Sequence, residues 1–496
     1  MEMDQKGFQI GRRDFMKTTT LASMAAAIPG VSLPEQGQDA GIAFRKSPDG
    51  TKRNLLFLSD NPAEHEQLVQ SIKSIKAFDF TVIPIKINYQ KLQEIPNSIL
   101  GKDGDVLFIC LPRIGISSGS IVDYMGDVDI PVILFPPNFD LIMLDADVVA
   151  RFRAKGTTAL LANSEAHAIE LVKIAAAPRI LEGKKALVFG RPYDSSSVPA
   201  HNLNEDYVYK RTGVRIRYQP IEELKPLLEG VDEASARKEM ERWKKEAVKV
   251  VEPSDKSFLE CCRMYVLLRS IIDKEGLSAV SMDCLNFSFS PNPILPLPCL
   301  AFTRLRDEGF GAVCEADVCG LLSSMLLQEI SRKASYFCNV SSVNTQKSST
   351  VLRHCVAPTR LLGREAPPLP FNLRDYHGMG RGVTPEVEFP VGVEVTMGGF
   401  SKDLRNILLW PGRIQPGIKD TDRPSFANAT GDLKKMRMFC SNRAEVKIKD
   451  VDRFLQNIAG IHYTMVAGNY TNALRDAMLR MDVSIIGPPD SAAPEI

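Results

Sequence analysis

Apolar runs alternate with amphipathic segments over the first two thirds of the chain. Between the runs, apolar residues recur at helical spacing, as Leu68, Val69, Ile72 and Ile75 do. This alternation is typical of parallel α/β sheets, whose strands are covered by helices on both faces. The strands predicted on this basis are 54–59, 82–85, 106–110, 132–135, 185–190, 279–282 and 311–314.

Three segments of the second α/β unit have a distinct character. The charged segment 229–249 predicts a helix with a solvated face, and 258–272 predicts a more apolar helix. The proline-rich stretch 291–298 cannot form regular structure, because proline lacks the donor that helices and sheets need. We expect it to be a loop that forms the wall of a cleft.

The residue pattern changes after residue 335, where glycines, prolines and short β-type runs dominate. The strands expected here are 391–397, 406–410 and 445–448, followed by a terminal helix near 471–481. The predicted fold class is therefore α/β, with two parallel-sheet α/β domains followed by a β-rich domain. The predicted boundaries are 1–45 for a signal and linker, 46–180 and 181–335 for the two α/β domains, and 336–496 for the C-terminal domain.

Composition excludes some classes of function. Lys and Arg number 61 and Asp and Glu number 60, so there is no electrostatic reason to expect a nucleic-acid partner. No apolar stretch of about 18 residues is present, which argues against a multispan membrane protein. The ten cysteines show no CxxC or zinc-finger spacing, and we expect them to be small buried apolar side chains.

The N-terminus resembles a bacterial twin-arginine signal. Arg12 and Arg13 are followed by Phe15 and Lys17, and a weakly apolar run then ends at Pro29. The run is too short for a stable membrane anchor. We therefore expect export to the periplasm, or a cytoplasmic protein if the signal does not function.

The segment after the strand at 311–314 is the most informative for chemistry. Glu315 follows the strand directly, at the edge where open α/β sheets place ligand-binding residues. Asp317 is a plausible N-cap for the helix that follows. The alternative is that Glu315 is an ordinary capping carboxylate.

No GxGxxG opens either α/β unit, which disfavours a nicotinamide-dependent oxidoreductase.

Four segments give the chain a resemblance to the L-fucose isomerase superfamily, which includes the L-arabinose isomerases. The most specific is Cys-Glu-Ala-Asp-Val at 314–318, and the His-Cys-x-x-Pro element at 354–358 supports it. The Asn-Arg-Ala element at 442–444 and the His-Tyr…Gly-x-Tyr element at 462–470 follow in the expected order. The resemblance covers most of residues 50–485. It implies two α/β domains before a barrel-like domain, and a homo-oligomer.

The resemblance also implies an activity and a set of site residues. Members interconvert aldoses and ketoses through an ene-diol with a divalent metal, usually Mn²⁺. Glu315 takes the position of a catalytic and metal-binding glutamate, and His462 that of a metal-binding histidine. Asn339 stands where the family has a catalytic, metal-binding aspartate. Arg353 and His354 are candidate substrate residues.

The chain departs from the family pattern at several positions. Ile461 replaces the first histidine of a pair, and Asn339, Asn344 and Asn469 stand where acids are usual. Asparagine can coordinate through its carbonyl oxygen, but it is neutral and cannot act as a base. An exported, non-catalytic sugar-binding protein that kept the fold is therefore the alternative. A lone histidine in such segments is, besides, more often structural than a ligand.

Overall fold

The computed structural model describes most of the chain after the predicted signal. The described residues are 52–88, 102–111, 118–125, 128–136, 142–193, 204–290, 293–416, 440 and 442–488, together with 91, 94, 95 and 99. The predicted twin-arginine signal lies outside them, as do residues 291 and 292 of the proline-rich stretch.

The described residues form strands and helices with the following bounds. The strands are β1 (Lys52–Ser59), β2 (Asp79–Lys86), β3 (Val106–Cys110), β4 (Val132–Leu134), β5 (Ala159–Leu161), β6 (Lys185–Phe189), β7 (Arg215–Gln219), β8 (Lys249–Val250), β9 (Ala279–Met282), β10 (Gly311–Cys314), β11 (Tyr336–Asn344), β12 (Ser349–His354), β13 (Phe371–Arg374), β14 (Thr384–Val387), β15 (Glu394–Phe400), β16 (Asn406–Ile414), β17 (Asn442–Ile448), β18 (His462–Ala467) and β19 (Ser484–Ile486). The α-helices are α1 (Glu66–Lys73), α2 (Ser118–Met125), α3 (Ile142–Ala154), α4 (Glu165–Ala176), α5 (Glu205–Thr212), α6 (Leu224–Glu229), α7 (Glu233–Glu246), α8 (Asp255–Glu275), α9 (Leu285–Ser288), α10 (Cys299–Glu308), α11 (Val318–Ser331), α12 (Val451–Gln456) and α13 (Arg475–Arg480).

The first sheet is parallel, in the order β2-β1-β3-β4-β5. Its central strands are buried on both faces. In β1, Leu56 and Leu58 belong to one hydrophobic cluster, while Leu55 and Phe57 belong to another. Alternate side chains therefore enter cores on opposite faces, which is why these strands are continuous apolar runs rather than alternating ones.

The second sheet is also parallel, in the order β10-β9-β6-β7. The chain leaves β6 toward β7 on one side and returns to β9 and β10 on the other. The carboxyl ends of β6 and β9 therefore flank the point where the strand order reverses, which is where open α/β sheets bind ligands. Glu315 stands at the same edge, directly after β10.

The third sheet closes into a barrel. Its strands pair antiparallel in the order β15-β18-β11-β12-β17-β16, and β16 pairs again with β15. Strand β19 adds to β16 in parallel. One buried cluster includes Tyr336, Trp410 and Tyr463 from three barrel strands. The predicted fold class, parallel α/β sheets followed by a β-barrel-like region, is confirmed.

Most of the predicted elements are present with shifted ends. The charged helix is α7, the apolar helix is α8, and the terminal helix is the shorter α13. The described part of the proline-rich stretch has no helix or strand, as predicted. Helix α10 follows it and was not predicted, because nearly every side chain of α10 is buried and no polar face marks its period. The predicted domain boundaries stay predictions.

Among the described residues, no helix has both the length and the apolar character needed to cross a bilayer.

A buried arginine joins α7 to α10. The Nε of Arg304 donates to Glu239 Oε1 at 2.6 Å, and its Nη1 donates to Glu246 Oε2 at 2.8 Å. The guanidinium also lies 3.9 Å from the ring centroid of Trp243. Arg304 is 1% exposed, so the buried Glu239 depends chiefly on it for compensation of its charge, while Glu246 also pairs with Arg242 at 3.1 Å.

Replacing Arg304 by methionine keeps the apolar stem and removes the charge. We expect Arg304→Met to lower the free energy of unfolding by about 3–5 kcal/mol, because it leaves the buried Glu239 with only the half-exposed Arg242 nearby, at 3.8 Å. The matched control is Arg237→Met, which breaks an exposed ion pair with Glu233 on α7 and should cost less than about 1 kcal/mol. Urea unfolding measures both, and equal losses for the two variants would contradict the expectation.

Candidate metal centre

The backbone turns sharply between β10 and α11. Glu315 and Ala316 have positive φ angles of 66° and 51°, which residues other than glycine rarely adopt. The amide of Glu315 donates to Cys284 Sγ at 3.4 Å, and that of Ala316 donates to the carbonyl of Met282 at 2.9 Å. Strained residues persist only where the surrounding structure fixes them, and they cluster at functional sites. The turn at Glu315 is therefore a candidate site.

This turn brings the carboxylate of Glu315 to two histidines of the barrel. His354 ends β12 and His462 begins β18. The Nε2 of His354 lies 3.6 Å from Glu315 Oε1, and the Nε2 of His462 lies 3.4 Å from Glu315 Oε2. Both imidazoles are buried. One ligand atom from each residue lies within 4.8 Å of the others, which is close enough for one cation to contact all three.

Asp317 both begins α11 and orients His462. Its Oδ1 accepts from the amide of Gly320 at 2.9 Å, so the predicted N-cap is confirmed. Its Oδ2 lies 2.7 Å from His462 Nδ1. With Nδ1 engaged, the Nε2 of His462 is directed at Glu315. Carboxylates orient metal-binding histidines in this way.

An aromatic side chain fixes both imidazoles. The ring centroid of Phe337 is 5.0 Å from that of His354 and 4.5 Å from that of His462. Phe337 in turn packs on Gly320, where an added Cβ would lie 2.4 Å from the ring. Glycine at 320 therefore allows the first turn of α11 to approach β11 closely, and this approach holds the cluster together.

The cluster is charged as well as buried. Burial alone would raise the pKa of Glu315, but His354 and His462 outweigh it and hold that pKa well below its usual range. Burial likewise opposes a charged His462, yet Asp317 and Glu315 raise its pKa. Asp317 has a lowered pKa because His462 outweighs the effect of its burial. Glu315 and Asp317 are thus ionised around a shared imidazole.

The donor set fits a divalent cation. The Nε2 of His462 and the Nδ1 of His354 are buried and have no hydrogen-bond partner among the described residues. A cation on His462 Nε2 would satisfy the first of these atoms, with Asp317 holding the other ring nitrogen. One carboxylate and two imidazoles accept Mn²⁺ without selecting it over other first-row ions.

The structure places His462 Nε2 3.4 Å from Glu315 Oε2, and the metal-binding roles that the resemblance implies for these two residues stay predictions. Asn339 lies opposite His462 across the β11–β18 pair and opposite Arg353 across the β11–β12 pair. Arg353 is buried beside it. The ligand role of Asn339 and the substrate role of Arg353 stay predictions. His354, expected near the substrate, lies within the cluster.

Two cavities lie at this edge of the second sheet. A cavity of about 20 Å³ is lined by Glu315 and His354, with Leu297 and Pro298 from the proline-rich loop. It has the size of an ion or a water molecule rather than of a sugar. A crevice of about 620 Å³ opens at the ends of β6, β7 and β9. Polar side chains that line it include Arg191, Gln219, Asp283 and Asn286.

The comparisons with known proteins find three curated relatives, all named sulfoquinovose isomerase. The protein from Alkalicoccus urumqiensis is 32% identical over 100 residues, which is 20% of this chain and 22% of that protein. Those from Priestia aryabhattai and Priestia megaterium are each 24% identical over 155 residues, 31% of this chain and 34% of theirs. The matched segments thus span about a third or less of each relative. No family model matches the chain.

Proposed function

We propose that the protein is a sugar isomerase that interconverts an aldose and a ketose at Glu315, His354 and His462. The observation that carries the proposal is the buried carboxylate–imidazole cluster at the carboxyl edge of a parallel sheet. The names of the three relatives support the same class of reaction.

The chemistry needs a base and charge stabilisation, but no oxidant. A proton leaves C2 of the aldose and returns to C1, while a hydroxyl proton passes from O2 to O1. Glu315, the carboxylate that faces both histidines, is the group that accepts the carbon proton and returns it. A divalent cation held by Glu315, His354 and His462, Mn²⁺ in this proposal, supplies polarisation of the sugar oxygens. Asn339 is neutral and serves as a ligand or a hydrogen-bonding group.

The large crevice supplies room for the sugar. Asp283 lines the crevice, and the next residue, Cys284, lines the small cavity at Glu315. The crevice and the small cavity are therefore lined by consecutive residues of the chain. Arg191, Asp283 and Asn286 provide the donors and acceptors that hydroxyl-rich ligands require.

A sugar screen tests the proposal directly. Purified protein with Mn²⁺ is incubated with pentoses, hexoses and deoxy-sugars, and NMR follows the appearance of the isomer. Sulfoquinovose, a sulfonated hexose, heads the panel because the relatives carry its name. We expect turnover of at least one sugar. Binding without turnover across the panel would refute the isomerase and favour a sugar-binding protein.

Restoring an acid at Asn339 should strengthen the metal site. We expect Asn339→Asp to bind Mn²⁺ more tightly, because a second negative group would face a divalent cation in a poorly solvated cluster. Titration of Mn²⁺ into both proteins, followed by electron paramagnetic resonance, measures the change.

The matched control is Asn344→Asp, the same substitution at the exposed end of β11. At about 3.3 Å per residue it lies roughly 16 Å along the strand from Asn339 and should leave the affinity unchanged. Equal or weaker affinity in Asn339→Asp would show that position 339 is not a ligand position.

We also propose that the protein is exported by the twin-arginine route and is a periplasmic homo-oligomer. Arg12→Lys combined with Arg13→Lys should retain folded protein in the cytoplasm, because that route reads the arginine pair. Cell fractionation measures the distribution, with Lys6→Arg as the control outside the pair. An unchanged periplasmic yield of the double variant would contradict export by this route. Sedimentation tests the oligomer.

A further inference from the structure

We propose that Cys355, His377 and Cys440 form a second metal site, separate from Glu315 and suited to a thiophilic ion such as Zn²⁺. The Sγ of Cys355 lies 3.1 Å from His377 Nε2 and 3.2 Å from Cys440 Sγ. The Sγ of Cys440 lies 3.8 Å from the same nitrogen. These three atoms form a compact triangle of two sulfurs and one imidazole nitrogen.

Three separate segments converge to make the triangle. Cys355 directly follows β12, His377 lies in the loop after β13, and Cys440 precedes β17. Asn442, at the start of β17, joins these segments. Its Nδ2 donates to the carbonyls of Cys355 at 2.9 Å and Pro385 at 2.8 Å. Asn442, the first residue of the Asn-Arg-Ala element, is fully buried. Its hydrogen bond to Cys355 holds the two cysteine-bearing segments side by side.

The loop that carries His377 is fixed in an uncommon conformation. His377 has a φ of 54°, and Asp375 accepts from the amides of Gly378 and Gly380 at 3.0 and 2.7 Å. The imidazole packs against Tyr376, with ring centroids 4.4 Å apart. A non-glycine residue in this region of φ costs stability, and such strain is characteristic of ligand-holding positions.

The chemistry of the donors separates this site from the first. Thiolates and imidazole prefer Zn²⁺ and other soft or borderline ions, whereas the carboxylate of Glu315 suits harder ions. The consecutive residues His354 and Cys355 belong to different sites: His354 to the cluster at Glu315, and Cys355 to the second site. Three protein ligands leave a fourth position of a tetrahedral ion open, as in catalytic rather than structural zinc sites.

The rival explanation is a disulfide between Cys355 and Cys440. The two sulfurs are 3.2 Å apart, well beyond the bonded distance of about 2.05 Å, and both residues are free thiols. The metal accounts for all three side chains.

Cobalt is the probe, because thiolate ligands give Co²⁺ an intense near-ultraviolet charge-transfer absorption that carboxylate and imidazole ligands do not. Co²⁺ is titrated into the full-length protein after reduction and removal of metals under anaerobic conditions. We expect the absorption to saturate at one ion per chain, and added Zn²⁺ to abolish it.

Two variants assign the absorption to the site. Cys440→Ser and His377→Asn should each weaken Co²⁺ binding at this site at least tenfold, and asparagine tolerates the left-handed backbone at 377. Circular dichroism of each variant verifies the fold. Cys319→Ala, a cysteine outside the triangle, and Glu315→Gln should both keep the absorption, which makes the result independent of the proposed isomerase.

Three outcomes would overturn the second site. One is reduced wild type that gives no thiolate absorption with Co²⁺. Another is an absorption that persists unchanged in folded Cys440→Ser and His377→Asn. The third is a Cys355–Cys440 disulfide in the isolated protein, found by mass spectrometry of its peptides, together with reduced protein that takes up no Co²⁺.

Discussion

Glu315→Gln should lower sugar turnover by about 10²–10⁴-fold, the usual effect of removing a catalytic base. Glutamine has nearly the same shape, but its amide cannot accept the carbon proton. The variant also removes the negative charge that faces His354 and His462, so Mn²⁺ should bind more weakly. Turnover by NMR and Mn²⁺ titration measure the two effects separately.

The control for this prediction is Glu329→Gln, the same substitution in α11, the helix that follows Glu315. Glu329 lies near the end of α11 and pairs with Lys184 and Arg332, so its variant should retain turnover. Near-normal turnover in Glu315→Gln would remove Glu315 from the mechanism. If Glu315→Gln instead unfolds, the alternative of a structural carboxylate at the strand end is favoured.

Asp317→Asn should weaken Mn²⁺ binding by about 10–100-fold, which is typical for loss of a carboxylate that orients a metal-binding histidine. Asparagine is also a good N-cap, so α11 should keep its start. The amide NH₂, however, would face His462 Nδ1 as a donor and favour the tautomer with a proton on Nε2. That proton would occupy the nitrogen that faces Glu315.

Asp232→Asn is the matched control, because Asp232 caps α7 through the amides of Ala234 and Ser235 far along the chain from the cluster. It should leave Mn²⁺ affinity unchanged. Thermal unfolding of both variants reports the capping contribution. An Asp317→Asn protein with normal affinity would mean that the bond between Asp317 and His462 has no part in holding a cation.

The central strands of the parallel sheets were predictable because they are buried on both faces. A run such as Val106–Cys110 is apolar throughout, so no register or partner is needed to recognise it. The residue pattern alone predicted the C-terminal domain only as β-rich, and its barrel-like form was expected from the family resemblance. Its closure depends on the pairing of β15 with β16 and of β11 with both β12 and β18, and pairing between distant strands leaves no local pattern.

The site was predictable where a single strand end determines it. Glu315 follows an apolar strand, and this alone places it at the ligand-binding edge. The approach of His354 and the bond between Asp317 and His462 depend on how the barrel docks, and 145 residues separate that pair. The triangle of Cys355, His377 and Cys440 was missed for the same reason. Its spacing matches no metal motif, and only the fold brings the three residues together.

The measurement that tests the central claim most directly is a joint titration. Metal-free wild type is titrated with Mn²⁺, and in the same samples bound Mn²⁺ is measured by electron paramagnetic resonance and sugar turnover by NMR. We predict no turnover without metal, and turnover that rises in proportion to occupancy of a site lost in Glu315→Gln. Full turnover by the metal-free protein, or a fully occupied site that converts none of the sugars, would contradict a metal-dependent isomerase at Glu315, His354 and His462.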